Sequence, residues 1–157
     1  MRSRWDKIPF IAKALILITI LVIVVNIYNR IVNKSDNEYF SELNLSLKGE
    51  VLSVYVPQDF KGFGVITIKI LNTSLKHYDP RDKHPFYYCL IKDSIAQVYQ
   101  RGSRTCSPGD IVEIDTKNRR FSLQSRTSGN KSWGIVLLHN ASFYRLVEKK
   151  YQTFFHN

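Results

Sequence analysis

An apolar run from Ile8 to Tyr28, IPFIAKALILITILVIVVNIY, constrains this chain more than any other stretch. About 20 helical residues, each rising about 1.5 Å, cross the hydrocarbon core of a bilayer. The inner part, ALILITILVIVV, lacks the polar face that a helix on a soluble surface needs. Lys13 lies near the start of the run, from where its ammonium snorkels back to the headgroups. Val24-Val25-Asn26-Ile27-Tyr28 offers no small-residue cleavage site of the kind a signal peptide requires. The expectation is an uncleaved, single-pass signal anchor.

Charge sets its direction. Arg2, Arg4 and Lys7 precede the run, with Asp6 as the one acid, and only Arg30 and Lys34 follow closely. Basic residues at a membrane end stay cytoplasmic, and Trp5 and Tyr28 suit the two interfaces. The expected topology is N-terminus in the cytoplasm, inner (cell) membrane crossed once, remainder extracytoplasmic. Four segments follow: tail and transmembrane anchor over 1–34, spacer over 35–44 with room for a turn or two of continuing helix, a small domain over 45–150, and a tail over 151–157. The net charge of +10 is divided about evenly between the first 34 residues and the rest. Such a balance favours anionic partners without selecting one.

Beyond Leu45 the apolar run gives way to short β-rich segments. Lys48–Val56 reads as a first strand and Pro57–Gly64 as a loop. Val65–Ile70 alternates, with Ile66, Ile68 and Ile70 expected inward and Thr67 and Lys69 outward. A polar loop over Asn72–Pro85 precedes a third strand, Phe86–Ile91. Asp93-Ser94 can cap a short helix presenting Ile95, Val98 and Tyr99 and ending near Gly102. Ser107-Pro108-Gly109-Asp110 turns into Ile111–Asp115, and Lys117-Asn118 makes a hairpin turn into Phe121–Gln124. Gly134–Leu138 is expected as a further strand; the tail from Ser142 fits strand or helix, with a strand to about Val147 favoured. The fold class is mainly β: one N-terminal transmembrane helix, then a small antiparallel β-barrel, OB-like, with one short helix. A generic antiparallel roll is the competing topology.

The KGEVLSVYV strand, the alternating strand after it and the SPGDIVEID turn-and-strand resemble uncharacterised small membrane-anchored β-barrel proteins of Bacteroidota. The resemblance covers roughly Lys48 to Gln124. It implies a barrel-like domain behind an anchor and an envelope location, and carries no activity or functional residues.

No catalytic, cofactor-binding or metal site emerges, and the chain is not expected to be an enzyme. There is no G-x-S-x-G elbow, and Lys61-Gly62-Phe63-Gly64 lacks the rest of a phosphate-binding loop. His77-Tyr78-Asp79-Pro80-Arg81-Asp82-Lys83-His84 follows no zinc or calcium spacing, and Arg81 and Lys83 oppose a cation. His139 reads as a residue of the barrel wall. Cys89 and Cys106 are candidates for one disulfide if the domain lies outside the cytoplasm, or for two separate thiols. Arg101, Arg104, Lys117, Arg119, Arg120 and Arg126 are candidate contacts for an anionic surface. Tyr55, Phe63, Tyr87 and Tyr88 either fill the barrel or form a stacking platform.

Three functional readings remain. The first is an envelope protein whose domain binds or scaffolds, contacting the membrane, an anionic surface, or another envelope protein through an edge strand. The second is a tethered OB-type nucleic-acid-binding module, ranked lower because it needs the opposite topology. The third is an enzyme without a recognisable motif.

Overall fold

The computed structural model describes residues 9–58, 62–84 and 86–138, together with Phe143, Tyr144 and Val147. A long helix, α1, spans Phe10–Leu43. Its 19 residues from Phe10 to Tyr28 are long and apolar enough to cross a membrane, and none is buried. Polar side chains within that span bond to the helix itself. Thr19 Oγ1 donates to the Leu15 carbonyl at 2.9 Å, and Asn26 Nδ2 to the Val22 carbonyl at 2.8 Å. Such bonds satisfy groups that hydrocarbon could not. The helix continues through the expected spacer and stops at Asn44. This residue takes a left-handed φ of 39°, and its N–H reaches the Phe40 carbonyl at 3.1 Å.

Seven strands follow: β1 Ser46–Tyr55, β2 Phe63–Thr73, β3 Cys89–Lys92, β4 Ile95–Arg101, β5 Ile111–Asp115, β6 Arg120–Gln124 and β7 Lys131–Ile135. They form one antiparallel sheet in the order β3-β4-β2-β1-β5-β6-β7. The sheet does not close. β3 and β7 are its two ends, so the expected OB-type barrel is not what the ladders build.

Register separates the two faces. Ala96 and Val98, then Ile68 and Ile66, then Val51 and Leu47, Val112 and Ile114, and Leu123 and Phe121 share one face, and all are buried. Phe40 lies on that face, edge-on to Tyr88 at 5.6 Å between ring centres. Where β1 crosses β2, only glycine fits at position 49. A Cβ there would run into Ile68 and the Lys69 carbonyl, and the register shifts between Lys48 and Gly49.

Among the described residues, the opposite face has an apolar cover over β2–β4. There Phe63, Val65, Leu90 and Tyr99 join Tyr87, Phe143, Tyr144 and Val147 in a second cluster. Thr67, expected to face solvent, is therefore fully buried, and Ile70 is only half-buried. Strands covered on both sides lose their alternation.

Three further expectations are corrected. Ile95–Arg101 is a strand, since Lys92 pairs with Ile95 and Asp93, at φ 55°, forms a two-residue hairpin turn with Ser94. Apolar residues at 95, 98 and 99 fit a helix face or a strand buried on both sides, and the hairpin selects the strand. The strand expected from Gly134 is Lys131–Ile135, starting three residues earlier. Phe143, Tyr144 and Val147 are helical rather than extended, a spacing that puts all three on one helix face. His139 lies outside the described residues.

Candidate functional site

The six basic candidates do not form one patch. Arg101 ends β4, and Arg104 lies in the short 3-10 turn Ser103–Thr105. Lys117 and Arg119 occupy the β5–β6 turn, Arg120 begins β6, and Arg126 lies past the other end of β6. Two are committed elsewhere. Arg119 Nε donates to the Val136 carbonyl at 3.2 Å, and its guanidinium sits 5.0 Å above the Phe40 ring. The Arg126 side chain lies over Gly109, within 3 Å of where a Cβ would stand.

The polar segment before β3 is also engaged. Asp79 accepts from Arg81 Nε at 2.8 Å, and that hydrogen bond holds its carboxyl below the ordinary aspartate value. Tyr78 exchanges backbone bonds of 2.9 and 2.8 Å with Ile91, covering that point of the β3 edge. Of the aromatic platform, Phe63, Tyr87 and Tyr88 are buried, which leaves only half-buried Tyr55.

Cys89 and Cys106 carry free thiols, both buried. Burial raises both thiols, Cys106 to about 11 with a further push from Asp110. Neutral, inaccessible sulfur is a poor nucleophile.

The strand expected from Gly134 starts at Lys131 and gives β7 an exposed edge that the candidate residues did not include. All five of its residues are exposed, with Trp133 at 69% and Ile135 at 62%. Val136 donates to the Arg119 carbonyl, and Ser125 donates to that of Asn130, at the two ends of the β6–β7 ladder. In an antiparallel pair, bonded and non-bonded positions alternate. The bonded positions of β7 are thus 132 and 134. Lys131, Trp133 and Ile135 turn their N–H and C=O groups away from β6. Their side chains share the outer face, where Trp133 stands opposite Ser122 and Ile135 opposite Arg120.

One of those outward groups is occupied. Gln100 Nε2 donates to the Ile135 carbonyl and the Arg101 carbonyl, each at 3.1 Å, while Gln100 Oε1 accepts from Tyr88 Oη at 2.9 Å. A buried amide therefore joins β4 to β7 where no ladder does.

Clefts flank β7 on both sides. The one between β7 and the end of β4, about 450 Å³, is lined by Arg101, Phe121, Ser132, Gly134 and Ile135 among others. The one on the outer face, about 360 Å³, is lined by Lys48, Glu113, Asp115, Arg120, Ser122 and Trp133 among others. Lys48 Nζ lies 2.7 Å from Glu113 Oε1, and this bond lowers the Glu113 carboxyl from its ordinary value. Asp115 is lowered by Asn118 in the β5–β6 turn. Of the predicted contacts, Arg101 and Arg120 line these clefts.

Lys131, Trp133 and Ile135 alternate with Ser132 and Gly134, a two-residue period that could have revealed the strand. Comparison with known protein families, with characterised proteins and with solved structures finds no match.

Proposed function

We propose that this chain is a single-pass envelope protein, N-terminus cytoplasmic, whose extracytoplasmic sheet domain serves as a binding module and docks another protein along β7. The observation that supports docking is the unequal treatment of the sheet's ends. β3 is bridged by the Tyr78 backbone, whereas among the described residues the outer edge of β7 meets only the Gln100 side chain, at Ile135, and carries an exposed Trp and Ile. Natural sheets blunt such edges, and a bare one with large apolar side chains is a docking surface or an aggregation hazard.

Kinship with the anchored β-proteins of Bacteroidota belongs to the same proposal and rests on Lys48–Gln124. The Gln100 link between β4 and β7 supports reading the sheet as a barrel-like roll left open along one seam. Membrane anchorage rests on the exposed apolar span of α1.

The test is site-specific photocrosslinking in intact membranes. A crosslinker at position 133 is expected to give a discrete adduct that one at exposed Leu52 does not. Identical patterns from both positions would remove β7 from the function. Steeply salt-dependent binding of single-stranded nucleic acid would favour the tethered nucleic-acid module instead.

A further inference from the structure

The β7 edge has a chemical signature as well as a shape, and it constrains what the partner presents. Among the described residues, Trp133 and Lys131 have no partner for the backbone N–H and C=O groups along the outer edge, and Ile135 none for its N–H. The Gln100 amide on the Ile135 carbonyl marks the C-terminal limit of the free edge. An added antiparallel strand would place one row of side chains beside Lys131, Trp133 and Ile135. The alternate row would lie beside Ser132 and Gly134, where small residues leave the 450 Å³ cleft open.

We propose that β7 captures an extended segment of another protein by strand addition, and that the segment reads apolar-x-apolar-x-acidic from its N- to its C-terminus. This rests on the β7 docking reading above. The apolar positions lie opposite Ile135 and Trp133, and the acidic one opposite Lys131. Backbone bonds supply attachment, and the alternate side chains supply selection. A second copy of this chain fits less well. Antiparallel β7–β7 pairing would set Lys131 against Ile135 and bring together two chains of charge +10.

The experiment uses the full-length chain in nanodiscs and the labelled peptide Ser-Ile-Thr-Ile-Thr-Asp-Ser, with binding read by fluorescence anisotropy. Comparison peptides carry Lys in place of Asp, or N-methyl groups on alternate amides. The Asp peptide is expected to bind about fivefold more tightly than the Lys peptide. Lys131→Glu should invert that order, and N-methylation on the paired edge should abolish binding. Lys131 is exposed, and circular dichroism checks that the variant keeps its fold.

Equal affinity for Asp and Lys peptides in both proteins would overturn the acidic position and leave strand addition standing. Absence of peptide binding, or equal binding of the N-methylated peptides, would overturn strand addition. The crosslinking at position 133 then decides separately whether β7 docks a protein at all. A concentration-dependent dimer crosslinked through position 133 would overturn the proposal in favour of self-pairing.

Discussion

Gln100 Nε2 lies 3.1 Å from the Ile135 carbonyl oxygen and donates to it across a gap that no strand ladder spans. The same side chain accepts from the buried Tyr88 hydroxyl, so one amide ties the end of β4 to the open edge and to the ring beneath it. Gln100 is 2% exposed. Replacing it strands the buried Tyr88 hydroxyl and removes the Ile135 carbonyl's donor.

Gln100→Leu should therefore cost about 2–3 kcal/mol in urea unfolding, because a buried hydroxyl and a carbonyl each lose a partner. Tyr88→Phe should cost less, about 1 kcal/mol. The double variant should depart from additivity by more than about 0.5 kcal/mol. Strict additivity would mean that the two side chains do not share a bond.

The turn before β5 depends on Asp110, whose Oδ2 accepts from the Ser107 N–H at 2.8 Å and Oδ1 from the Arg126 N–H at 2.9 Å. Asp110→Ala should destabilise by about 2 kcal/mol, since bonds to a charged acceptor are the stronger kind. Asp110→Asn, with one acceptor oxygen, should fall between alanine and wild type. Equal stability of all three would show that the turn holds without the carboxylate.

Cys106 supplies a pH test. Its thiol ionises near 9.0 in an unfolded chain and at about 11 when folded. Below pH 9 both states keep the proton; between pH 9 and 11 only the folded state does. Its contribution is thus fully present below pH 9 and fades as pH rises through 11. Alkylation at pH 8 should be slow for both cysteines and should speed up on unfolding. Rapid labelling of the folded chain would contradict their burial.

Trp133→Ala should change stability by no more than about 0.5 kcal/mol, because the ring is largely in water. A large loss in thermal unfolding would show that Trp133 packs in the fold and is not held out for a partner.

Leu21→Arg places a charge in the middle of the apolar span and should raise the insertion cost by about 2.5–3.5 kcal/mol. The expected result is a shift of the chain from the membrane to the soluble or aggregated fraction. Unchanged fractionation would argue against the span as the anchor. Impermeant protease added to spheroplasts should cleave the sheet domain of the wild type, and protection would reverse the proposed topology.

Several elements were legible because their signals are local. Phe10–Tyr28 is readable from apolarity and length. Ile111–Asp115 and the turn at Lys117-Asn118 are readable because β5 is covered on one face, leaving Glu113 and Asp115 to alternate with buried Val112 and Ile114. β4 was not legible as a strand. Its Ala96 and Val98 face one cluster while Tyr99 faces the other, and residues buried on both sides show no two-residue period. Scattered cations suggested a single site only while their strands were unplaced. Paired, they separate, and Arg101 and Arg120 come to line the clefts that flank β7.

By itself, the sequence determined a membrane-length helix followed by a β-rich domain, because hydrophobic length and alternation are properties of neighbouring residues. Tertiary structure alone decided which face Phe143, Tyr144 and Val147 would cover. It also decided that Tyr78 would bridge β3 and that, among the described residues, no strand would pair with the outer edge of β7. Each of those outcomes depends on contacts between residues far apart in the chain, and no local pattern records which edge of a sheet will find a partner.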